Sequence, residues 1–146
     1  MIYLDTSYIV KCYVAESGSD RILAWLEGRR GMVCSLHGRI EFHSAIHRHF
    51  QAGRLTATQV RKVMRQLEAD EANGIWTWLA VSSALALQAC ATLAGLDRAT
   101  CLRAADALHL ATAADAGCEK LYSHDRHLLS AAPVFGVSAH DILELT

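Results

Sequence analysis

The sequence predicts an α/β fold, a central parallel sheet of four to five strands flanked by helices, and three observations carry that expectation. Short apolar runs of strand length alternate with stretches of helical period along the 146 residues. Most helical stretches stop at a glycine, and the only proline, Pro133, stands near the end of a short one. No repeat, linker or low-complexity tract interrupts the series, so residues 1–146 read as one domain, long enough to bury a core.

The elements follow in order. Residues 1–5 form an apolar strand, and a helix runs from about Ser7 to Val14 before the break "ESGS". "SDRILAWLEG" places Ile22, Leu23 and Leu26 at helical spacing and stops at Gly28. "MVCSL", 32–36, is the second strand. "GRIEFHSAIHRHFQAG" is a helix with Phe42, Ala45, Ile46, His49 and Phe50 as its inward stripe and Gly53 at its end. Thr56 and Gln59 fit a capping box. The helix behind them turns Val60, Val63, Met64 and Leu67 inward and Arg61, Lys62, Arg65 and Glu68 outward. The third strand lies near 76–82, and "SALALQACATLAG" is a core helix from a serine to Gly95. A long helix covers about Leu102 to Ala116, stopped by Gly117. "EKLYS" is the fourth strand, "HDRHLLSA" goes with a short helix, "GVSAH" is a final strand and "DILEL" a tail.

Composition excludes several classes. Residues are 52% hydrophobic and 20% charged, which is globular and not disordered. A net charge of -1 argues against a protein that coats nucleic acid, though a few local arginines suffice to hold one stretch of phosphate. Five scattered cysteines without C-x-x-C spacing suggest small buried residues in a reducing cytoplasm, not a zinc or redox site. Asp5 and Lys11 interrupt any secretory h-region. The uncharged stretch from Ile75 to Leu96 is long enough to span a bilayer, but its scattered Thr, Ser and Gln favour a buried strand followed by a core helix, so no membrane span is expected.

The chemistry lies in the carboxylates. "MIYLDTSYIV" ends its first strand at Asp5, and an aspartate is rarely buried unless something compensates it. Ligands of open parallel sheets bind beyond the carboxyl ends of the strands, where Asp5 sits, and Asp125 stands two residues past "EKLYS" at the same edge. Asp106, in "RAADALHLATA", has small or apolar flanks that place it in a crevice. Glu41, in "RIEFHSAI", lies one turn into its helix beside polar neighbours that would equally suit a surface position. Four gathered carboxylates raise one another's pKa and need compensation. A hard cation, Mg²⁺ or Mn²⁺, supplies it and suits phosphoryl chemistry.

These blocks together resemble a known family. "MIYLDTSYIVKCYVAE" is similar to the opening of PIN-domain ribonucleases, "LRAADALHLATAADAG" to their most recognisable helix, "KLYSHDRHL" to their strand-loop ending in (Thr/Ser)-x-Asp, and "RIEFHSAI" to the segment holding their second acid. The likeness covers nearly the whole chain in the right order, and the Asp106 block is the most specific part. The bare single domain looks most like VapC toxins. The resemblance implies a single PIN-like domain and a Mg²⁺- or Mn²⁺-dependent endoribonuclease that hydrolyses RNA phosphodiester bonds in the cytoplasm. It implies the toxin of a toxin–antitoxin pair, often dimeric and inhibited by a VapB-type antitoxin. Carried over by position, Asp5, Glu41, Asp106 and Asp125 are the catalytic and metal-binding acids. Thr6 is the polar residue after the first acid, and Ser123 stands where the family often has Thr.

Other residues support or compete with that reading. His109, one turn from Asp106, could hydrogen-bond it or support a ligand, and Arg103 could pair with Asp106 or with phosphate. His43 and His47 have zinc-like spacing without a third ligand and read as an exposed or partner-facing face. His124 and His127 flank Asp125, within reach of substrate but more plainly solvent-facing. Arg54, Arg61, Lys62 and Arg65 form the best basic patch, a solvated face or an RNA or antitoxin contact. The broad apolar faces of the first and third helices (Tyr8, Ile9, Tyr13; Phe42, Ile46, Phe50) suggest a homodimer. Two other functions compete. A haloacid-dehalogenase-like phosphatase needs an acid two residues after Asp5, where Ser7 stands. A non-catalytic PIN-like binding module would not need all four acids.

Overall fold

The computed structural model describes residues 1–145. Five strands, β1 (Ile2–Leu4), β2 (Met32–Ser35), β3 (Trp76–Leu79), β4 (Lys120–Tyr122) and β5 (Ser138–His140), form one parallel sheet in the order β3-β2-β1-β4-β5. Seven helices surround it: α1 (Thr6–Tyr13), α2 (Ser19–Leu26), α3 (Leu36–Gln51), α4 (Ala57–Ala72), α5 (Ser83–Ala94), α6 (Ala104–Asp115) and α7 (Arg126–Ala131). Two 3₁₀ turns follow, Ala132–Phe135 and Ile142–Glu144.

The strand order fixes where a ligand can lie. The chain builds outward from β1 to β2 and β3, then returns across β1 to lay down β4 and β5 on its other side. The connections diverge between β1 and β4, and that divergence opens a crevice at the carboxyl ends of those strands. β1 is the central strand, buried on both faces: Tyr3 and Leu4 are fully inaccessible. Tyr8, Ile9, Ile22, Phe42, Ile46 and Leu110 complete the core around it.

Local chemistry explains the helix starts. Ser35 accepts a hydrogen bond from the His37 amide, so α3 begins directly after β2 with no intervening loop. Thr56 and Gln59 form both halves of the expected capping box on α4, and Ser82 caps α5.

Several expectations need correction. The third strand stops at Leu79, because residues 80–82 turn to let Ser82 cap α5. α5 is not a core helix: only Leu85 and Ala89 are buried, and Leu87 is 70% exposed, because the helix packs on α6 and not on the sheet. Phe50 leaves the predicted inward stripe of α3 and is 45% exposed. Tyr8, Ile9, Phe42 and Ile46 are buried in the core of this chain, so of the two expected apolar faces only Phe50 and the half-buried Tyr13 reach the surface. Cys34 and Cys118 are buried, but Cys90 and Cys101 are exposed. Among the described residues no helix is long and apolar enough to cross a membrane.

Gly38, in the first turn of α3, is where the layers meet most closely. A Cβ there would lie 2.5 Å from Cys34 Sγ, 2.8 Å from Thr6 Oγ1 and 3.0 Å from His109 Cε1. Alanine would gain about 1 kcal/mol in helix propensity. Overpacking a rigid site costs roughly 1–3 kcal/mol, and the contact with sulfur is too short for small adjustments to relieve. Gly38→Ala should therefore lower the melting temperature, and Cys34→Ala in the same chain should recover part of the loss. A Gly38→Ala variant more stable than the parent would contradict this packing.

Candidate active site

Four elements bring the site together at the carboxyl edge of the sheet. Asp5 follows β1, and its backbone carbonyl accepts from the Tyr8 amide at the start of α1. Its side chain makes no capping bond, so the carboxylate is free to face the crevice. Only 8% of the residue is exposed. Two hydroxyls compensate it on one oxygen: Ser7 donates to Oδ2 at 2.9 Å and Ser123 at 2.7 Å. Position 7 thus serves Asp5 with a hydroxyl where a dehalogenase-type phosphatase would carry an acid.

Glu41 reaches the same place from α3. Its Oε2 accepts from Thr6 Oγ1 at 2.7 Å and lies 2.7 Å from His109 Nε2. His109 is fully buried on α6, and its Nδ1 lies 2.8 Å from the Tyr3 hydroxyl, which in turn accepts from the Ser35 amide at 3.0 Å. This chain ties β2, β1, α6 and α3 through one imidazole. Burial disfavours charge on His109, but Tyr3, Cys34 and Glu41 around it outweigh that and hold its pKa well above the ordinary value. Burial likewise pushes Glu41 up, and the hydrogen bonds and charge of His109 reverse this and draw it below the ordinary carboxylate value. His109 therefore bonds Glu41, and not the Asp106 one turn away from it.

Asp106 stands in the first turn of α6, half-buried. Burial raises its pKa, and the nearby charges of Asp125 and Asp5 raise it further. A hydrogen bond from the Arg103 backbone offsets part of this. Arg103 thus acts through its backbone, and its side chain is exposed. Asp125 caps α7, with Oδ1 accepting from the His127 amide at 2.7 Å and the Leu128 amide at 3.3 Å. Its own amide donates to Ser123 Oγ at 3.0 Å, so that hydroxyl links the first and fourth acids.

The carboxylates share one design. Asp5 and Asp125 are each hydrogen-bonded through one oxygen, Oδ2 and Oδ1, and Glu41 through Oε2, while the second oxygen of each makes no hydrogen bond among the described residues and Glu41 Oε1 lies 3.7 Å from His37 Nε2. One ligating atom from each of Asp5, Glu41 and His109 falls within 4.8 Å of the others. The donor set is dominated by charged oxygen, which fits a hard divalent cation. His109 Nε2, engaged with Glu41 and 3.8 Å from Asp5 Oδ1, serves to hold the acids in place.

Tyr3 and Ser7 support the site through their hydroxyls, a role that their sequence context does not reveal. Tyr3 looks like one more apolar strand residue, and its hydroxyl role shows only when α6 packs beside β1. In the sequence Asp141 reads as tail, although it follows β5 by one residue as Asp5 follows β1. That shared position was the signal available. His43 and His47 are exposed, as are Arg54, Arg61, Lys62 and Arg65.

A family model described as the PIN domain matches residues 2–133. No curated protein sequence matches the chain. Among solved structures the chain is similar to VapC20 of Mycobacterium tuberculosis, a sarcin-ricin loop cleaving toxin, at TM-score 0.71 and 18% identity over 90% of this chain and 95% of that one. It is also similar to FitAcB from Neisseria gonorrhoeae, at TM-score 0.72 and 19% identity over 99% and 100% of the two chains. A structure of FitAB bound to a DNA fragment matches at TM-score 0.72 and 18% identity over 100% and 98%.

The Glu41–His109 pair gives a pH signature. A carboxylate whose folded pKa is lowered adds stability above its unfolded pKa and loses it as pH falls through the folded value. Denaturant unfolding followed downward from neutral pH through the carboxylate range should show a steeper loss in the parent than in Glu41→Gln. Parallel curves for the two proteins would mean that Glu41 gains nothing from His109.

Proposed function

This chain belongs to the PIN-domain family, whose model spans residues 2–133, and from that premise we propose that it is a Mg²⁺- or Mn²⁺-dependent endoribonuclease, the toxin of a toxin–antitoxin pair. The observation that carries the proposal is the gathering of carboxylates at the β1/β4 crevice, with one oxygen each of Asp5, Glu41 and Asp125 free of hydrogen bonds among the described residues and Asp106 raised by burial and by its acidic neighbours. Acids serving only the fold would satisfy both oxygens internally or pair with Lys or Arg.

Asp5, Glu41, Asp106 and Asp125 would hold the cation. When bound, it compensates the charge that develops on a phosphodiester undergoing hydrolysis. The chain's own residues do the rest. Ser7 and Ser123 fix the Asp5 carboxylate, and Thr6 and His109 fix Glu41, so the acids need no reorganisation when substrate arrives. The exposed Arg54, Arg61, Lys62 and Arg65 give a backbone-tracking patch for RNA despite the neutral overall charge. A VapB-type antitoxin suits the same acidic crevice, because an arginine laid on it would form bidentate bonds to carboxylates. Ile40 and Leu87, 67% and 70% exposed, are among the apolar side chains available for a homodimer to cover. A cytoplasmic location goes with an RNA substrate.

Asp5→Asn and Asp106→Asn should each abolish cleavage of RNA while the fold stays intact or gains slightly in stability, since removing one of several like charges relieves the others. Activity measured beside thermal unfolding checks this, and loss of both together would point to purely structural carboxylates. Added Mn²⁺ or Mg²⁺ should raise the melting temperature, by the equivalent of roughly 2.7 kcal/mol at a hundred times the dissociation constant, and excess chelator should reverse it. Melting curves indifferent to metal and chelator would count against a cation site.

A further inference from the structure

Arg48 stands in the wall of the acid crevice, and the catalytic reading leaves it unused. Asp5, Ser7 and Glu41 line one part of a depression of about 200 Å³, and Val10 and Ala45 form its apolar floor. Among the described residues that line it, Arg48 is the one cation. α1 and α3 run side by side here in the same sense. Thr6 meets Glu41 near the start of both helices, and beyond the end of α1 Glu16 lies 3.1 Å from His49. Glu41, Ala45 and Arg48 follow one another along one face of α3. The depression therefore leads from the acids along α1 and α3 toward Arg48. The two ends of that stretch of α3 are about 10 Å apart along its axis. Helical side chains lean back toward the N-terminus, which brings the guanidinium toward the acids.

That guanidinium is held but not neutralised. Nη1 donates to Ser44 Oγ, one turn back, at 3.1 Å. Its other donors make no hydrogen bond or ion pair among the described residues. Arg39, on the same helix, shows the contrast: its Nε and Nη2 bond both oxygens of Glu71 at 2.9 and 3.2 Å. Arg48 is exposed, keeps its charge at any ordinary pH and shares a depression with carboxylates, yet it pairs with none of them. Its free donors suit an anion that enters from outside. A strand of phosphodiesters crossing a site rich in carboxylates is repelled wherever no cation faces it. A cation held by the acids answers for the phosphate being cut. Val10 and Ala45 are short and buried, so the backbone beside the cut can lie low over them, and the guanidinium faces the phosphate that follows.

We propose that Arg48 is a substrate-binding residue that holds a phosphate flanking the one being cut, so that the substrate strand lies along the α1/α3 groove. This rests on the ribonuclease reading above.

The test measures kcat/KM with Mn²⁺ on a single-stranded RNA oligonucleotide and on versions with one neutral methylphosphonate linkage at each position flanking the cut, for the parent, Arg48→Ala and Arg48→Lys. In the parent, one flanking linkage should lose about tenfold when its charge is removed, the value of one charge-assisted hydrogen bond at an exposed site. Arg48→Ala should lose a similar factor on the unmodified RNA and show no further loss at that linkage, because the two changes remove the same contact. Penalties at the other linkages should stay as in the parent. Arg48→Lys keeps the charge without the planar fork and should retain part of the penalty. The slope of log kcat/KM against log salt should become shallower by roughly 0.7 in Arg48→Ala, the value of one phosphate contact to a single strand. Arg48 is exposed, so both variants should melt with the parent. The linkage pattern is the deciding readout, since a loss of stability alone lowers every substrate equally. A parent with no linkage-specific penalty, or one that Arg48→Ala leaves intact, overturns the proposal. So does an Arg48→Ala protein that binds Mn²⁺ more tightly and cuts unmodified RNA no more slowly, because the guanidinium would then serve to neutralise the acids. If the parent cuts no RNA, the ribonuclease reading fails and this one with it. Cleavage without the predicted coupling removes this one alone.

Discussion

A fully buried imidazole, His109, holds the site together. It touches the Tyr3 hydroxyl on the central strand and the Glu41 carboxylate on α3, while its own helix carries Asp106. One side chain thereby sets the spacing of three elements, and its affinity for protons offsets negative charge that the core could not otherwise tolerate. Gly38 follows from this: α3 must approach α6 and α1 closely enough for Glu41 to reach the imidazole and Thr6 together, and a Cβ at that position would strike the Cys34 sulfur, the Thr6 hydroxyl and the imidazole itself. The same need accounts for a helix that begins directly after its strand, with Ser35 acting as cap to α3 and as donor to Tyr3.

The acids are built to be incomplete. Hydroxyls and amides satisfy one side of Asp5 and Asp125, and a hydroxyl and an imidazole satisfy one oxygen of Glu41. Asp106 carries the residual strain, with its pKa raised by burial and then by Asp125 and Asp5. A fold does not gain stability from such an arrangement, because unpaired like charges at close range destabilise it. The arrangement is explained if a cation and an anionic substrate complete it. The topological switch between β1 and β4 supplies the opening through which they would enter.

The parallel sheet and the placement of Asp5 and Asp125 beyond strand ends were legible in the sequence because each rests on local signals: an apolar run, a cap, a glycine, a carboxylate at a strand end. Thr56 with Gln59 and the strand-end Asp5 are of that kind. What could not be read depended on non-local packing. The solvent exposure of α5 follows from its packing on α6 and not on the sheet, although its composition is as apolar as that of a core helix. Phe50 sits near the end of α3, beyond the reach of the core that covers Phe42 and Ile46. The partner of His109 is Glu41, 68 residues away, and not the Asp106 one turn off, because α3 crosses the face of α6 that His109 occupies. Asp141 was hidden in an unremarkable tail, although the rule that found Asp5 applies to it as well.

The central claim is that these four carboxylates form one hard-cation site. Anomalous scattering from crystals grown with Mn²⁺ tests it most directly. A peak bounded by Asp5, Glu41, Asp106 and Asp125 is the predicted result. Mn²⁺ absent from that crevice at saturating concentration, or bound at a different face of the protein, would contradict the claim.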